Sequence, residues 1–223
     1  MKLNLLLVIF LLICNSLIAQ INYQNEQSGT FQTGNIDSPF LRVSKSSGNK
    51  IVGSIYLNEE WEQATISDNA KKTYKSMARF NAYHSEIEIL TDNKVKALVA
   101  DENLEVSLNE RLFTPINLPS KIKPIFAEKL VSGEYSLYKV YDIKINKAPS
   151  DAKLLNLESN DKVVIYSELY FMTKDKIQKV PNSKKESKKL LPNKMIALAN
   201  KEKLSIKKDQ DVIEIFKLYN AVK

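Results

Sequence analysis

The stretch "RFNAYHSEIEI", Arg79 to Ile89, gathers the side chains best suited to acid–base chemistry: Arg79, His84, Glu86 and Glu88. His84 is the chain's only histidine, so an imidazole base or a Ser-His-Asp relay has to be built on it. Such a base must sit within hydrogen-bond reach of its partner. The alternation of residue types points elsewhere. A two-residue turn at His84–Ser85 pairs Tyr83 with Glu86, Ala82 with Ile87, Asn81 with Glu88 and Phe80 with Ile89. One face then carries Phe80, Ala82, Ile87 and Ile89, and the other carries Asn81, Tyr83, Glu86 and Glu88, with Arg79 diagonal to Glu88. His84 is expected at an exposed turn tip, and the stretch reads as a structural hairpin with no catalytic residue.

A second acidic group, Glu59, Glu60 and Glu62 around Trp61, has the composition of a sugar-cleaving pair beside an aromatic platform. The simpler reading is exposed acids at a strand end. No loop of regularly spaced Asp, Asn and Gly supports calcium, and one histidine is too few for an ordinary zinc site. Five glycines leave little material for a phosphate loop or a dinucleotide fingerprint. No metal and no cofactor is therefore expected. The most unusual local composition is "KDKIQKVPNSKKESKK", Lys174 to Lys189. Lys174, Lys176, Lys179, Lys184, Lys185, Lys188 and Lys189 are the candidates for an anion-binding surface. Without arginines or interleaved aromatics they lack the planar fork that recognises phosphate bidentately. A solvated connection between a strand and a helix is the competing reading.

The chain opens on "MKLNLLLVIFLLICNSLIAQ": Lys2, an unbroken apolar run from Leu5 to Ile13, and a small residue at Ala19 before Gln20. That is the order of a secretory signal peptide, with cleavage expected after Ala19. The run is too short to span a bilayer comfortably, which takes roughly 20 residues. Cys14 follows Ile13 rather than a small residue and precedes Leu17 and Ile18, so it reads as part of this leader and not as a lipid-bearing cysteine. The mature chain then has no cysteine and no disulfide. The formal net charge is +7. In an exported protein that balance suits an envelope protein, an anionic glycan or lipid headgroups better than nucleic acid.

These residues need elements to position them. Residues 20–50 are rich in Ser, Asn, Gln and Gly without a period and read as a flexible leader. From Ile51 onward, short β-prone runs recur between turn residues: "KIVGSIYL", "KVKALVA", "NLEVSL", "IFAEKLV", "YSLYKVYDIKI" and "KVVIYSELYFM". "TDNK" (Thr91 to Lys94) joins the first hairpin to the next strand as a three-stranded meander, and Ser132-Gly133 makes another turn. Pro115, Pro119 and Pro124 mark irregular or edge structure. After "YFMTKDKIQKV" the period lengthens to that of helices. Ser183 caps a helix through Leu190, Pro192 opens a second with Met195, Ile196, Leu198 and Ala199 inward, and Asp209 begins a third with Val212, Ile215, Phe216, Tyr219 and Val222 as its stripe. Strands first and helices last imply an α+β class. The expected fold is an antiparallel meander, sandwich-like or a partly open barrel, followed by short C-terminal helices. The domain division is 1–19 leader peptide, 20–50 flexible segment and 51–223 one domain.

"GSIYLNEEW" (Gly53 to Trp61), "RFNAYHSEIEI" and the tail "KEKLSIKKDQDVIEIFKLYNAV" together resemble a family of exported Bacteroidota proteins. That family has a Gly-Ser-x-Tyr-Leu opening, an Arg-Tyr-Asn-x-Tyr strand with an acidic continuation, and a closing helix ending in Tyr-Asn. Phe80 stands here where the family often has tyrosine. The resemblance implies export and a shared fold, and it carries no catalytic residues. The function expected is binding or assembly in the cell envelope. A carrier of an apolar ligand, with Tyr138, Tyr166, Tyr170, Phe171 and Met172 lining a cavity, is the alternative, and an enzyme acting on envelope glycans is the third.

Overall fold

The computed structural model describes residues 41–43, 52–70, 72–147, 162–174 and 176–222. The leader peptide expected at 1–19 lies outside them, as does most of the segment expected to be flexible. Within that segment, Leu41–Val43 form a short edge strand, β1. The strands that follow are β2 (Glu62–Asp68), β3 (Thr73–Asn81), β4 (Glu86–Thr91), β5 (Lys94–Leu98), β6 (Leu104–Leu108), β7 (Arg111–Ile116), β8 (Ile125–Val131), β9 (Tyr135–Asn146), β10 (Lys162–Thr173) and β11 (Lys176–Lys179). Among the described residues these make one antiparallel sheet in the order β1-β5-β4-β3-β2-β6-β7-β8-β9-β10-β11. Three helices close the chain: α1 (Lys184–Leu190), α2 (Asn193–Lys201) and α3 (Asp209–Ala221). The expected α+β class, with strands before helices, is the class observed.

Local chemistry accounts for most connections. Asp92–Asn93 and Asn109–Glu110 both have φ near +50–60° at the two central residues, the conformation of the tight turns that match strand twist. Ser183 caps α1, accepting from the Glu186 N–H, as expected. Pro115 lies inside β7 rather than in a loop. It falls beyond Phe113, the last β7 residue paired with β6, so no ladder bond is lost on that side. "KIVGSIYL" is not a regular strand. Its described part, with residues up to Trp61, is a strap: Val52 accepts from the Val163 N–H (3.0 Å), Ile55 accepts from the Ala82 N–H (2.8 Å), and the Leu57 N–H donates to Phe80 (3.2 Å). Gly53, at φ +104°, passes so close to β10 that a Cβ would stand 3.2 Å from the Val163 carbonyl oxygen.

The sheet curls. On a flat sheet β3 and β9 would stand five strand spacings apart, about 24 Å. Instead the Phe80 ring lies 5.7 Å from that of Tyr141 and stacks 4.8 Å from Phe113 on β7. The turn between β3 and β4 completes the closure. Ser85 accepts from the Phe126 N–H (3.1 Å), and its hydroxyl donates to the Tyr141 carbonyl (3.2 Å). The inner face so formed is packed with Ala64, Ile66, Ala78, Phe80, Ile87, Ile89, Val106, Leu108 and Phe113.

The helices cover the neighbouring part of that face, where Leu137, Leu169 and Phe171 meet Met195, Ala199, Val212, Ile215 and Phe216. Ile196 and Tyr219 join this cluster half-buried, Leu198 is also half-buried, and Val222 is exposed just past the end of α3. The turn after β8 shows how tightly α3 is docked. Asn220 bonds both the N–H and the carbonyl of Tyr135, and a Cβ on Gly133, at φ +151°, would stand 2.4 Å from the Asn220 side chain.

Candidate functional site

The hairpin of β3 and β4 differs from the expected one in a specific way. Asn81 pairs with Glu86, Phe80 with Ile87, Arg79 with Glu88 and Ala78 with Ile89. The loop is therefore four residues, Ala82 to Ser85, rather than two. Asn81 stabilises it by accepting from the His84 N–H through its side chain (3.1 Å), and Ser85 adopts φ +52°. A shift of two residues leaves the face assignment intact, because side chains alternate with period two. It moves Arg79 from diagonal to directly opposite Glu88.

The outer face that was expected to be polar is in fact covered here. Glu88 is 2% exposed. Arg79 donates to its Oε2 through Nε (3.0 Å) and Nη2 (2.9 Å), and Asn81 Nδ2 donates to Oε1 (2.8 Å). The strap supplies the lid. Arg79 Cζ lies 3.7 Å from the Tyr56 ring centre and 4.3 Å from that of Trp61, and Nη2 also donates to the Tyr56 hydroxyl (2.8 Å). Two aromatic faces and a carboxylate thus hold one weakly hydrated planar cation.

Trp61 is thereby committed to Arg79, and it does not stand as a platform beside a carboxylate pair. Glu59 and Glu60 are exposed, while Glu62 turns to the opposite face of β2. His84 is half-buried rather than at an exposed tip. Its ring packs edge-on to Tyr83 (4.6 Å), and its Nε2 is buried with no hydrogen-bond partner among the described residues. Ser85, its neighbour, is spent on the Tyr141 carbonyl. A relay through His84 has no support.

Between the two clusters of the inner face runs a polar seam. The Tyr141 hydroxyl donates to Glu128 Oε2. Lys139, two residues away on the same face of β9, pairs with Asp209 at the start of α3 (3.4 Å). Burial pushes the Tyr141 hydroxyl well above the ordinary phenol range, and the Glu128 carboxylate pushes further in the same direction. Tyr56, Tyr135, Tyr138, Tyr166 and Tyr170 are also raised, each chiefly by burial. A phenol raised in the folded state favours folding fully below the unfolded value, about pH 10, and loses that contribution as pH rises through the folded value. Stability should therefore fall from about pH 10 upward. In a 295 nm titration, Tyr141 should ionise only with unfolding, and Y141F should remove that last component.

An open groove lies at one end of the inner face. It has a volume of about 190 Å³ and is lined by Leu57, Asn58, Glu62, Phe80, Leu108, Asn109, Arg111 and Phe113. Nothing in the alternation had pointed to it, since it joins the strap to β2, β3 and the β6–β7 turn.

The lysines of the basic stretch follow the chain through β11 and α1. Lys174, Lys176, Lys184, Lys185, Lys188 and Lys189 are exposed, as is Lys179, which pairs with Glu168. In α1, Lys184 and Lys188 are one turn apart, as are Lys185 and Lys189, so the helix presents two stacked pairs of cations, the second of them opposite buried Ser187. The aromatics expected to line a cavity do not share one. Phe171 faces the helices, Tyr138, Tyr170 and Met172 pack with Ile116, Ile125 and Ile177 on the other face, and Tyr166 is exposed. Among the described residues no three His, Cys, Asp or Glu side chains converge as a metal site. No described helix is long and apolar enough to cross a membrane. Fold and site define an α+β protein built on one curled antiparallel sheet. Compared with protein-family models, curated proteins and solved structures, the chain finds no match.

Proposed function

We propose that the chain is an exported protein of the cell envelope that acts by binding or assembly rather than by turnover. The observation that carries this reading is the closed bonding of the most buried ionisable groups of the sheet. Arg79 and Glu88 are satisfied by each other and by Tyr56 and Asn81, and Tyr141 is satisfied by Glu128. A catalyst instead keeps a base or nucleophile aimed at a reacting atom. The filling of the interface between sheet and helices also supports the reading. The groove, at about 190 Å³, is below the range of about 300–1,000 Å³ usual for drug-sized ligands, which weighs against a lipid carrier.

Export rests on the order of Lys2, the apolar run and Ala19. For the partner we assign the lysine pairs of α1, with Lys174 and Lys176, to an anionic surface of the envelope, whether glycan, headgroup or acidic protein. The test is native mass spectrometry of the protein purified gently from its own cells. A bare mass, or one carrying a protein or glycan partner that salt releases, is the expected result. A reproducible adduct of lipid mass that high salt does not release would overturn this reading in favour of the carrier.

A further inference from the structure

We propose that the groove beside the strap binds a small zwitterion, with an ammonium and a carboxylate on a short apolar frame of amino-acid size. This rests on the reading of the chain as a binding protein and adds a ligand class to it. The inward stripes of two strands are the starting point. Along β2 the inward positions run Ile66, Ala64, Glu62, and along β7 they run Phe113, Arg111. Both stripes are apolar within the core and charged at the end that lines the groove, with opposite signs on the two strands, and β2 is charged again at Asp68, at its far end. Phe80, Phe113, Leu57 and Leu108 supply the apolar lining between them.

A charge that merely meets solvent at a strand end is free to move, and Glu62 is not. Asn58 Nδ2 from the strap and Asn109 Nδ2 from the β6–β7 turn each donate to its Oε1 at 2.8 Å. Asn58 is itself fixed by accepting from the Glu60 N–H (3.2 Å). One oxygen is thus anchored from two elements, and Oε2 takes no partner among the described residues. This is the second-layer support expected of a positioned binding group.

Arg111 makes no ion pair among the described residues. It lines the groove and shares the parity of Phe113 along β7, which places it toward the inner face. Glu128, the acid already there, is occupied by that hydroxyl and stands in register beside Lys139. Arg111 is left to a ligand. Its planar fork matches a carboxylate, and the open oxygen of Glu62 accepts from an ammonium. The volume of about 190 Å³ admits a body such as that of leucine.

The experiment is an amide NMR titration of the protein with L-leucine, alongside isocaproate, which lacks the ammonium, and isopentylamine, which lacks the carboxylate. Saturable shifts at Leu57, Asn58 and Asn109 to Phe113 with leucine are expected, and each single-charge analogue should bind about tenfold or more weakly, the worth of one charge-assisted hydrogen bond. E62Q and R111Q, at half-buried and exposed positions, should each weaken leucine by the same factor with the rest of the spectrum unchanged. No saturable shift at millimolar leucine, or isocaproate binding as tightly as leucine, would overturn the proposal whether or not the variants fold. Failure here with a co-purifying partner still present removes the groove ligand alone. A lipid adduct in the native mass that high salt does not release, with leucine still bound, removes the envelope-partner reading and leaves the groove.

Discussion

Replacing Arg79 with methionine should cost the fold about 3–5 kcal/mol, read from urea unfolding at neutral pH. The magnitude comes from what remains. Glu88 is 2% exposed, and the guanidinium supplies two of its hydrogen bonds and its counter-charge, beside the bond from Asn81 and a long 3.5 Å contact with Tyr56. A buried carboxylate stripped of its counter-ion loses far more than the pair itself contributes. Methionine retains apolar bulk beneath Tyr56 and Trp61, so lost packing is a small part of the effect. The control is the double variant R79M/E88M, which should recover most of the loss because no charge is then left stranded. Lysine is not expected to rescue, since an ammonium lacks the planar fork that donates twice to Glu88 while lying over two rings. A loss for R79M below about 1 kcal/mol would place this pair with ordinary surface ion pairs and refute the account.

The second large effect is expected at Phe80. Phe80→Ala should destabilise by about 3–5 kcal/mol, the usual cost of emptying a buried aromatic site. The ring is 1% exposed and touches both walls of the curl, stacked on Phe113 and edge-on to Tyr141. Because β3 and β9 meet only through the curl, the cavity cannot be closed by moving one strand. A cycle with Phe113→Ala should show a coupling of about 0.5–1.5 kcal/mol, the worth of an aromatic pair beyond its burial. Additive losses would mean that the two rings are independent and that the sheet is held in its curl by something else. The two positions flank each other on one strand and point to opposite faces, so R79M should leave the Phe80 environment little changed in near-ultraviolet spectra.

Both residues lie in the same short stretch, and the sequence was informative about one property of it. Phe80, Ala82, Ile87 and Ile89 alternate with Asn81, Glu86 and Glu88, and the two faces are those the alternation required. The loop length was not legible. A two-residue and a four-residue turn give identical faces, and the choice fell to Asn81, whose side chain holds the His84 N–H, and to Ser85, which is drawn to β8 and β9. That contact is distant in sequence. It also explains why His84 is half-buried rather than exposed.

The tail was read more fully. Ser183, Pro192 and Asp209 mark helix starts by local chemistry, and Met195, Val212, Ile215 and Phe216 face inward by period. Strand β2 is not legible in the sequence because "EQATISD" has only Ala64 and Ile66 to signal an inner face, and the strap mimics a strand because "KIVGSIYL" has the composition of one.

What the sequence by itself determined is the class of fold, the succession of strands before helices, the turns at Thr91–Lys94 and Ser132–Gly133 and the inward stripes of the β3–β4 hairpin and the helices. These follow from backbone and side-chain preferences acting over a few residues. Only the tertiary structure decided that the sheet curls and that the strap covers its outer face over Arg79. It also decided that the charged ends of β2 and β7 share one groove. Those features depend on pairings between strands far apart in the chain, where burial turns a residue such as Glu88 from an expected surface acid into the centre of a closed network.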